Sequence, residues 1–478
     1  MRNSVRPHSS LGYRPPALEA SERGWPEGYP NTNIETGSLL GAGQRCSVVR
    51  HVWDRVDILK AGMRRAITMF SLVFAGEAVF FLPFHISRFF RPTFVEVFGI
   101  TQTQLGVLGF TYGVVAMFAY LLGGGLADRF DARKLLAFSL VATATAGLYL
   151  ATIPNFAELR WLFAFWGVST ILPFWSALIR ATREWGGAPK QGSAFGILDG
   201  GRGGVAAAMA TIALLLLGMF LPENDAAATL EQKRVALRSI IFLYTVTCLI
   251  AAGCVWLFVP ESKLQYSDKI SNQPRRDSGR LKQVIRMPAV WLHAVIIMAA
   301  YSAYKGVDFF SQYAHDVWGW SDVESARLST SSAWIRPVAA IAAGFLADRL
   351  SSSRVIMGSF LLTGVGYAAL RWIPPAHAFE WLLWTNICTI SLGIFALRGI
   401  YFALLEEAQI PRVMTGTAVG VVCFIGFVPE IFIPPLGGWL IDRWSGGQTG
   451  YHVFFALLVG GCAFGIAAAA LLRARRSH

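Results

Sequence analysis

Long apolar stretches constrain the fold of this chain more than any other feature. A helix needs about 20 mostly apolar residues to cross the hydrocarbon core of a membrane. Twelve stretches of that kind occur, and none shows the alternation of polar and apolar residues typical of a membrane barrel strand. The stretches are 66–90, 103–126, 134–153, 158–180, 194–220, 239–259, 289–313, 324–346, 354–373, 379–404, 416–440 and 451–472.

The composition agrees with a membrane protein and excludes other classes. Of the 478 residues, 54% are hydrophobic and 15% are charged, whereas a soluble protein has about 25% charged residues. The net charge of +13 is divided among segments between apolar stretches, so it predicts no nucleic-acid-binding face. The six cysteines lack paired spacing, and neither a metal site nor a disulfide framework is predicted. We therefore predict an all-α integral membrane protein with twelve transmembrane helices.

Lysine and arginine collect in alternate loops, and this asymmetry predicts the orientation of the chain. With the N-terminus in the cytoplasm, most basic residues fall in cytoplasmic loops and in the segment 261–287. We expect a multi-pass protein of the inner (plasma) membrane, monomeric, with both termini in the cytoplasm.

The second half of the chain repeats features of the first half in the same order. A repeat of this length predicts two related structural units. We expect a six-helix bundle at 63–260, a cytoplasmic linker at 261–287 and a second six-helix bundle at 288–478. The matched positions, all 220 residues apart, are Gly124, Asp128 and Arg129 with Gly344, Asp348 and Arg349, Pro154 with Pro374, and Trp161 with Trp381.

The loop between helices two and three resembles that of the major facilitator superfamily. It reads Gly124-x-x-x-Asp128-Arg129-x-Asp131-x-Arg133-Lys134, with Asp131 where the family usually has glycine. The resemblance covers essentially all of 63–478. It implies two pseudo-symmetric six-helix bundles, a substrate site between them near mid-membrane, and transport by alternating access.

In that family the loop locks the cytoplasmic side while the transporter faces outward, so the resemblance implies a gating role for it. The alternative is that these charges only set the topology. The gating residues would be Gly124, Asp128, Arg129, Arg133, Lys134 and Glu184, with Gly344, Asp348, Arg349 and Arg354 in the second half. The implied contacts are Asp128 with the helix start near Gly416, Arg133 with Glu184, and Arg354 with Glu406 or Glu407.

Charged residues inside the predicted helices are expected to be functional or paired, because a charge at the bilayer centre costs about 2.5–3.5 kcal/mol. At about 100° per residue, those of helix one and of helix seven each form a polar stripe. Since His85 and Lys305, and likewise Arg88 and Asp308, are 220 residues apart, we expect the stripes to face each other across a central cavity. The stripes are Glu77, His85 and Arg88 in helix one, and Tyr301, Lys305, Asp308 and Gln312 in helix seven.

Basic residues on opposite bundles suit an anionic solute that bridges them. In the alternative interpretation, Arg88 lies near the outer interface and Lys305 pairs with Asp308. Helix seven, with Tyr301 near Lys305, and the Trp- and Gly-rich segment 175–204 are similar to the organic-anion and sugar-phosphate permease branch. The predicted substrate-binding residues are His85, Arg88, Tyr301, Lys305 and Gln312.

The other intramembrane charges are predicted to form ion pairs or to couple transport to an ion. Asp199 and Arg202, three residues apart in the glycine-rich segment 196–204, favour a packing or gating role over substrate contact. Each acid outside that segment is a candidate to carry a coupling proton, and the sequence does not rank them. The set comprises Glu77, Asp199, Arg202, Asp308, Arg336, Arg398 and Glu430.

The tail at 1–62 contains no membrane span and is expected to be disordered or not native. Residues 5–17 resemble the C-terminal end of an insertion-sequence transposase, without the catalytic core of such enzymes. We expect an upstream insertion or an early start assignment, with Met63 as the natural start. A native disordered tail is the alternative.

Taken together, these features predict a secondary active transporter for a small anionic organic solute, a sugar phosphate or a carboxylate. No nucleotide-binding motif occurs, so ATP is not expected to be the direct energy source. No Ser/His/Asp, His-rich or metal-ligand spacing occurs either, and neither a cofactor nor an enzyme activity is expected. The alternatives are a drug/proton antiporter and a non-transporting membrane sensor of the same fold. The expected partners are the solute, the lipid bilayer and a coupling proton, with no nucleic acid.

Overall fold

The computed structural model divides the chain into two units, Met1–Lys60 and Ala61–His478. Apart from Lys60, the first unit lies outside the described residues, and so does the transposase-like run. Most of the predicted linker, and the predicted partners Glu406 and Glu407, also lie outside them. The described residues are 60, 62–186, 191–221, 228–261, 282–404 and 415–476.

The described residues are nearly all helical and form twelve consecutive passages, some of them in two pieces. A short helix, Arg91–Phe98, stands between the first two passages. The passages are α1 (Gly62–Ala78, Phe81–Phe89), α2 (Gln102–Arg129), α3 (Ala132–Leu150), α4 (Phe156–Ser169, Trp175–Gly186), α5 (Gln191–Phe220), α6 (Leu230–Phe258), α7 (Pro288–Lys305, Phe310–Trp318), α8 (Asp322–Ala333, Ile335–Leu350), α9 (Ser352–Ala369), α10 (Glu380–Ile400), α11 (Thr415–Gly426, Pro429–Arg443) and α12 (Gln448–Arg476).

Among the described helices, seven are individually long and apolar enough to cross a membrane, and the bent pair of α1 makes an eighth. The remaining passages are short or interrupted. For example, α4 is broken between Ser169 and Trp175. Breaks of this kind are tolerated in membranes where neighbouring helices satisfy the freed backbone groups. These lengths agree with the all-α membrane architecture predicted from the sequence.

Four even-numbered helices, α2, α4, α6 and α8, begin with a capping box. In this motif a polar side chain accepts from the third helical N–H, and a Glu or Gln at that position reaches back to the cap backbone. The motif therefore fixes where these four helices begin. Their first residues lie on one face of the protein, which also carries the connection between α1 and α2, and we call it the α1–α2 face. The pairs are Thr101 with Gln104, Asn155 with Glu158, Thr229 with Gln232, and Ser321 with Glu324.

The buried apolar side chains form two clusters. One comprises residues of α1–α6 together with Ala326 and Ala333 of α8, and the other comprises residues 284–472. Large apolar side chains such as Trp161 and Phe464 are exposed on the outside, as a surface in contact with lipid tails requires.

The two halves meet closely where α2 packs on α11. A Cβ at Gly106 would lie 2.4 Å from Pro435 Cα, and a Cβ at Gly438 would lie 2.2 Å from the carbonyl oxygen of Gln102. Glycine at both positions therefore permits an approach that any side chain would prevent. Because these contacts join the start of α2 to the end of α11, they close the α1–α2 face.

Candidate functional site: a charged central cavity

A cavity of about 430 Å³ lies between the two halves. A volume of this order suits a small organic ligand. Two of the residues that line it, Tyr120 on α2 and Phe424 on α11, are exposed. Within the described residues, the cavity therefore opens toward the face opposite the α1–α2 face. We call this opposite face the α2–α3 face. Its ionisable lining, tyrosines aside, includes Glu77, His85, Arg88, Arg202, Lys305, Arg336, Arg398 and Glu430.

The polar stripes of α1 and α7 meet in this cavity. Arg88 Nε donates to Asp308 Oδ1 at 2.5 Å. Lys305 Nζ lies 2.5 Å from Asp308 Oδ2 and donates to Glu430 Oε1 at 3.1 Å. The Tyr301 hydroxyl donates to Glu430 Oε2 at 2.6 Å. The structure thus brings the two stripes together, and it also contains the ion pair within α7 that the alternative interpretation proposed.

A break in α7 shapes this cluster. The helix tightens to a 3₁₀ turn at Gly306–Phe309, which contains Asp308. Gly306 allows the turn to pack, because a Cβ there would lie 2.2 Å from the Tyr367 hydroxyl. The change in winding alters the register of everything that follows. Gln312, beyond the turn, donates to Asp316 Oδ1 at 2.9 Å and is not among the described cavity-lining residues, contrary to the substrate contact predicted for it.

A second ionic cluster surrounds Glu77 on α1. Arg202 Nε lies 3.0 Å from Glu77 Oε2, and Arg336 Nη1 lies 3.6 Å from Oε1. Asp199, half-exposed, lies 3.2 Å from Arg336 Nη2 and 3.7 Å from Arg202 Nη1. His85 Nε2 lies 3.3 Å from Glu77 Oε1. The cluster ties α1 and α5 to α8 of the other half.

His85 is almost completely buried, at 2% exposure, and its ring packs against Phe81 and Tyr244. It touches the cavity, but its polar contact is with Glu77. The structure therefore places His85 on the cavity wall with its described polar contact at Glu77, and its predicted role as an anion ligand stays a prediction.

Arg398 differs from the other cations of the cavity. Its guanidinium stacks on Tyr304, 4.0 Å from the ring centre, and Arg88 lies 5.0 Å from the same ring. No carboxylate among the described residues forms an ion pair with Arg398, whereas Arg88, Arg202, Lys305 and Arg336 each have at least one such partner. The sequence showed Arg398 as an intramembrane charge, but it contained no signal that this arginine differs from its neighbours.

Contacts between the halves close the cavity on the α1–α2 face. Arg91 Nη1 of the first half donates to the Asp308 carbonyl of the second half at 3.3 Å, and its Nε donates to Gln102 Oε1 of the first half at 2.7 Å. On the same face, Lys233 of α6 lies 3.0 Å from Asp322 of α8. Apart from Asp308, the sequence analysis did not single out these residues, because all lie at or near helix ends.

A carboxylate of one half caps a helix of the other. Asp442, near the end of α11, accepts from the backbone N–H groups of Gln102 at 3.1 Å and Thr103 at 2.6 Å. These N–H groups belong to the first turn of α2 and have no partner within that helix. The negative charge also complements the positive end of the α2 dipole.

The loop between α2 and α3 carries a different set of contacts from those implied by the family resemblance. Arg133 forms an ion pair with Glu261 and lies over the ring of Trp256, instead of the implied contact with Glu184. Glu184 pairs with Arg180 at 2.8 Å. Arg133 reaches Glu261 because this carboxylate follows the end of α6, which lies next to Arg133.

Asp131, where the family usually has glycine, is the N-cap of α3. Its side chain accepts from the Arg133 N–H at 2.8 Å, so the substitution stabilises the start of a helix. Four further basic residues of the two gating loops, namely Arg129, Lys134, Arg349 and Arg354, are exposed, and Gly344 has open space around it. The side chains of Asp128 and Asp348, and the surroundings of Gly124 and Gly416, lie outside the described residues.

Twelve helical passages around a charged cavity are the arrangement that the sequence repeat predicted, and comparison with known proteins identifies the family. The Major Facilitator Superfamily profile matches residues 72–434. The chain belongs to this superfamily. The all-α fold class predicted from the sequence is thereby confirmed.

Two curated relatives cover most of the chain. It is 25% identical over 395 residues to the inner membrane protein YqcE of Escherichia coli (strain K12), a match that covers 79% of this chain and 87% of that protein. It is 23% identical over 454 residues to the glycerol-3-phosphate transporter of Bacillus subtilis (strain 168), which covers 87% and 95% of the two chains.

Among solved structures, a variant of the nucleoside transporter NupG superimposes on the chain with a TM-score of 0.64 and 14% sequence identity. The match covers 86% of this chain and 99% of that one, and it supports the fold. The superfamily match and these likenesses identify the protein as a secondary transporter of the inner membrane that crosses the bilayer several times. They do not test the transposase resemblance of residues 5–17, which stays a prediction.

Proposed function

We propose that this transporter carries a small organic anion, a sugar phosphate or a carboxylate, and binds it in the central cavity at Arg398, Arg88 and Lys305. Arg398 carries the proposal because it is a cation of the cavity with no described carboxylate partner. A second positive group, Arg88, comes from the opposite half and lies over the same Tyr304 ring. An anion between them would join the halves.

The charge balance of the cavity supports an anion. With His85 counted as neutral, the described residues of the two clusters leave one positive charge in excess. In a site shielded from water, an uncompensated charge attracts a counterion more strongly than it does in solution. The cations are Arg88, Arg202, Lys305, Arg336 and Arg398, and the carboxylates in contact with them are Glu77, Asp199, Asp308 and Glu430.

The walls of the cavity suit a compact solute with an apolar part. Aromatic rings from both halves surround the charged groups, among them Phe84, Trp175 and Phe427. Arginine presents a planar fork of donors that matches the oxygens of phosphates and carboxylates. The relative named as a glycerol-3-phosphate transporter supports a phosphate ester as one member of the substrate class.

We further propose that the α2–α3 face lies in the cytoplasm. Basic residues collect on this face, among them Arg129, Lys134 and Arg354, and such residues favour the cytoplasmic side. Within the described residues, the cavity then opens to the cytoplasm, while the α1–α2 face is closed. The proposed units of alternating access are the bundles at 63–260 and 288–478, working as a monomer with both termini in the cytoplasm.

A thermal-shift screen of the purified protein against phosphorylated and carboxylated metabolites tests this function. A ligand at about 100 times its Kd stabilises the folded state by about 2.7 kcal/mol. We expect anions to raise Tm and Arg398→Ala to abolish the increase, whereas Arg160→Ala, which changes an exposed arginine of α4, should retain it. Stabilisation by cationic drugs and not by anions would contradict the proposal and favour a drug/proton antiporter. Binding of the anion without uptake into proteoliposomes would indicate a sensor.

A further inference from the structure

We propose that Glu430 carries the proton that couples anion binding to transport. When the anion binds, Glu430 takes up one proton and releases Lys305, which then binds the anion. This inference rests on the proposed anion site and names the coupling group within it. It also ranks three acids, Glu77, Asp308 and Glu430, that the sequence left unranked.

Glu77 and Asp308 each lie close to two cationic side chains. Glu77 lies 3.0 Å from Arg202 and 3.6 Å from Arg336. Asp308 lies 2.5 Å from both of its neighbouring cations, one of which is Arg88. Each nearby cation favours the ionised carboxylate. Protonating Asp308 would leave Arg88 without a described carboxylate partner, and protonating Glu77 would leave Arg202 and Arg336 with only the half-exposed Asp199. Neither acid is suited to gain and lose a proton in every transport cycle.

Glu430 depends on a single cation, and that cation is shared. Lys305 Nζ donates to its Oε1 at 3.1 Å, but the same ammonium lies 2.5 Å from Asp308. The other oxygen accepts from a neutral group, the Tyr301 hydroxyl, at 2.6 Å. If Glu430 becomes neutral, Lys305 therefore keeps a carboxylate partner. Protonation of Glu430 consequently disturbs the ionic network least.

Glu430 lies on the cavity wall at the start of the second piece of α11, so protons and solutes in the cavity reach it. Glu430 lies in the first turn of this piece, where the helix dipole complements negative charge, and its Oε1 accepts from Lys305. An arriving anion competes for Lys305 and repels the carboxylate, and both effects favour proton uptake. The ionisable groups that face Glu430 are Arg88 on α1, Tyr112 and Tyr120 on α2, and Tyr301 and Lys305 on α7.

The exchange balances in charge and in bonds. One monoanion enters and accepts a hydrogen bond from Lys305 Nζ in place of Glu430 Oε1. One proton from the solution binds that carboxylate, so the net charge of the cavity does not change. After the anion leaves, Glu430 returns the proton and pairs with Lys305 again. Each cycle therefore transports one anion and one proton in the same direction.

By thermodynamic linkage, proton binding and anion binding strengthen each other. The test uses ethanesulfonate, because a sulfonate keeps its single charge across the pH range and any pH dependence then belongs to the protein. Thermal shift is measured from pH 5.5 to pH 8. In the native protein we expect the apparent affinity to fall with rising pH, by up to about tenfold per pH unit, as one linked proton requires.

Glu430→Gln imitates the protonated acid, so ethanesulfonate should stabilise it equally at every pH and at least as well as it stabilises the native protein at pH 5.5. The matched control is Glu96→Gln, which changes a half-exposed acid that pairs with Lys233 outside the cavity. This control should keep the native pH dependence. If the affinity of Glu430→Gln for ethanesulfonate still falls with rising pH, the proposed role of Glu430 is refuted.

A second measurement does not depend on the folding of a variant. Calorimetric titration of the native protein with ethanesulfonate, in buffers of different ionisation enthalpy, counts the protons taken up. Uptake of one proton per anion bound supports the proposal. No proton uptake across the whole pH range overturns it while leaving the anion site intact. Absence of any stabilisation by ethanesulfonate, sulfate and inorganic phosphate overturns the proposed function as well.

Discussion

At the scale of single residues, the site works through competition for a few cations. Lys305 serves two carboxylates, Asp308 and Glu430, whereas Arg398 serves no described one. The sequence identified all four residues as intramembrane charges, because an ionisable group within an apolar stretch is evident from the sequence alone. Which of them pair depends on distances between helices, and these distances follow from packing.

Lys305→Ala should abolish anion binding and uptake. The substitution removes the cation that the anion and Glu430 share, while Arg88 keeps Asp308 paired, so we expect the protein to fold and insert. Uptake into proteoliposomes and thermal shift with ethanesulfonate measure the loss. Losing one partner of a buried ion pair costs about 3–5 kcal/mol, and Lys305→Ala combined with Glu430→Gln should regain thermal stability without regaining binding. Unchanged transport kinetics in Lys305→Ala would remove Lys305 from the anion site.

At the scale of helices, the close contact of α2 with α11 determines whether the α1–α2 face is closed. The glycines that permit this contact are recognisable in the sequence, but their partners are not. Asp442 shows the same limit, because a carboxylate near a helix end predicts a cap only when the helix that it caps is known.

Gly438→Ala should open the α1–α2 face. A Cβ at this position would lie 2.2 Å from the Gln102 carbonyl oxygen, so α2 and α11 must move apart. We expect faster hydrogen exchange at the start of α2 and slower turnover. Gly461→Ala on α12 is the matched control, since no atom lies within 4 Å of its Cβ position. Equal exchange rates in the two variants would contradict closure by this contact.

Asp442→Asn should weaken the cap of α2 without adding bulk. The amide keeps one oxygen acceptor, replaces the other with an NH2 donor, and loses the negative charge that complements the helix start. Removing a cap costs about 0.5–2 kcal/mol, and Asp442→Asn, which keeps one of the two hydrogen bonds, should cost an amount within that range. Hydrogen exchange at Gln102 and Thr103 should therefore rise by a few fold, with the interior of α2 unchanged. Unaltered exchange at these two amides would show that Asp442 does not stabilise the closed face.

At the scale of the whole molecule, the architecture follows from the bilayer. Every span must satisfy its backbone groups within itself and remain apolar over a defined length. The apolar stretches, their number and the internal repeat therefore predicted the fold, and the superfamily match over 72–434 agrees with it. The arrangement of ionic contacts between the halves has no comparable local signature.

Reporter fusions should show an even number of crossings. A reporter placed within 262–281 and one placed after residue 476 should report the cytoplasm, and one placed at residue 153, between α3 and α4, should report the opposite side. The positive charges of the α2–α3 face are the physical basis of this expectation. Fusions at 262–281 and after 476 that report opposite sides would refute the topology of the second half.

The sequence alone determined the helical membrane fold, its twofold repeat and the charged residues that line the cavity, because length, hydropathy and residue type are local properties that the bilayer selects directly. Only the tertiary structure decided which charges meet. The 3₁₀ turn at Gly306–Phe309 directs Asp308 to Arg88 and leaves Gln312 outside the cavity. Such pairings depend on helix breaks and on distances between helices, and these arise only when the whole chain packs.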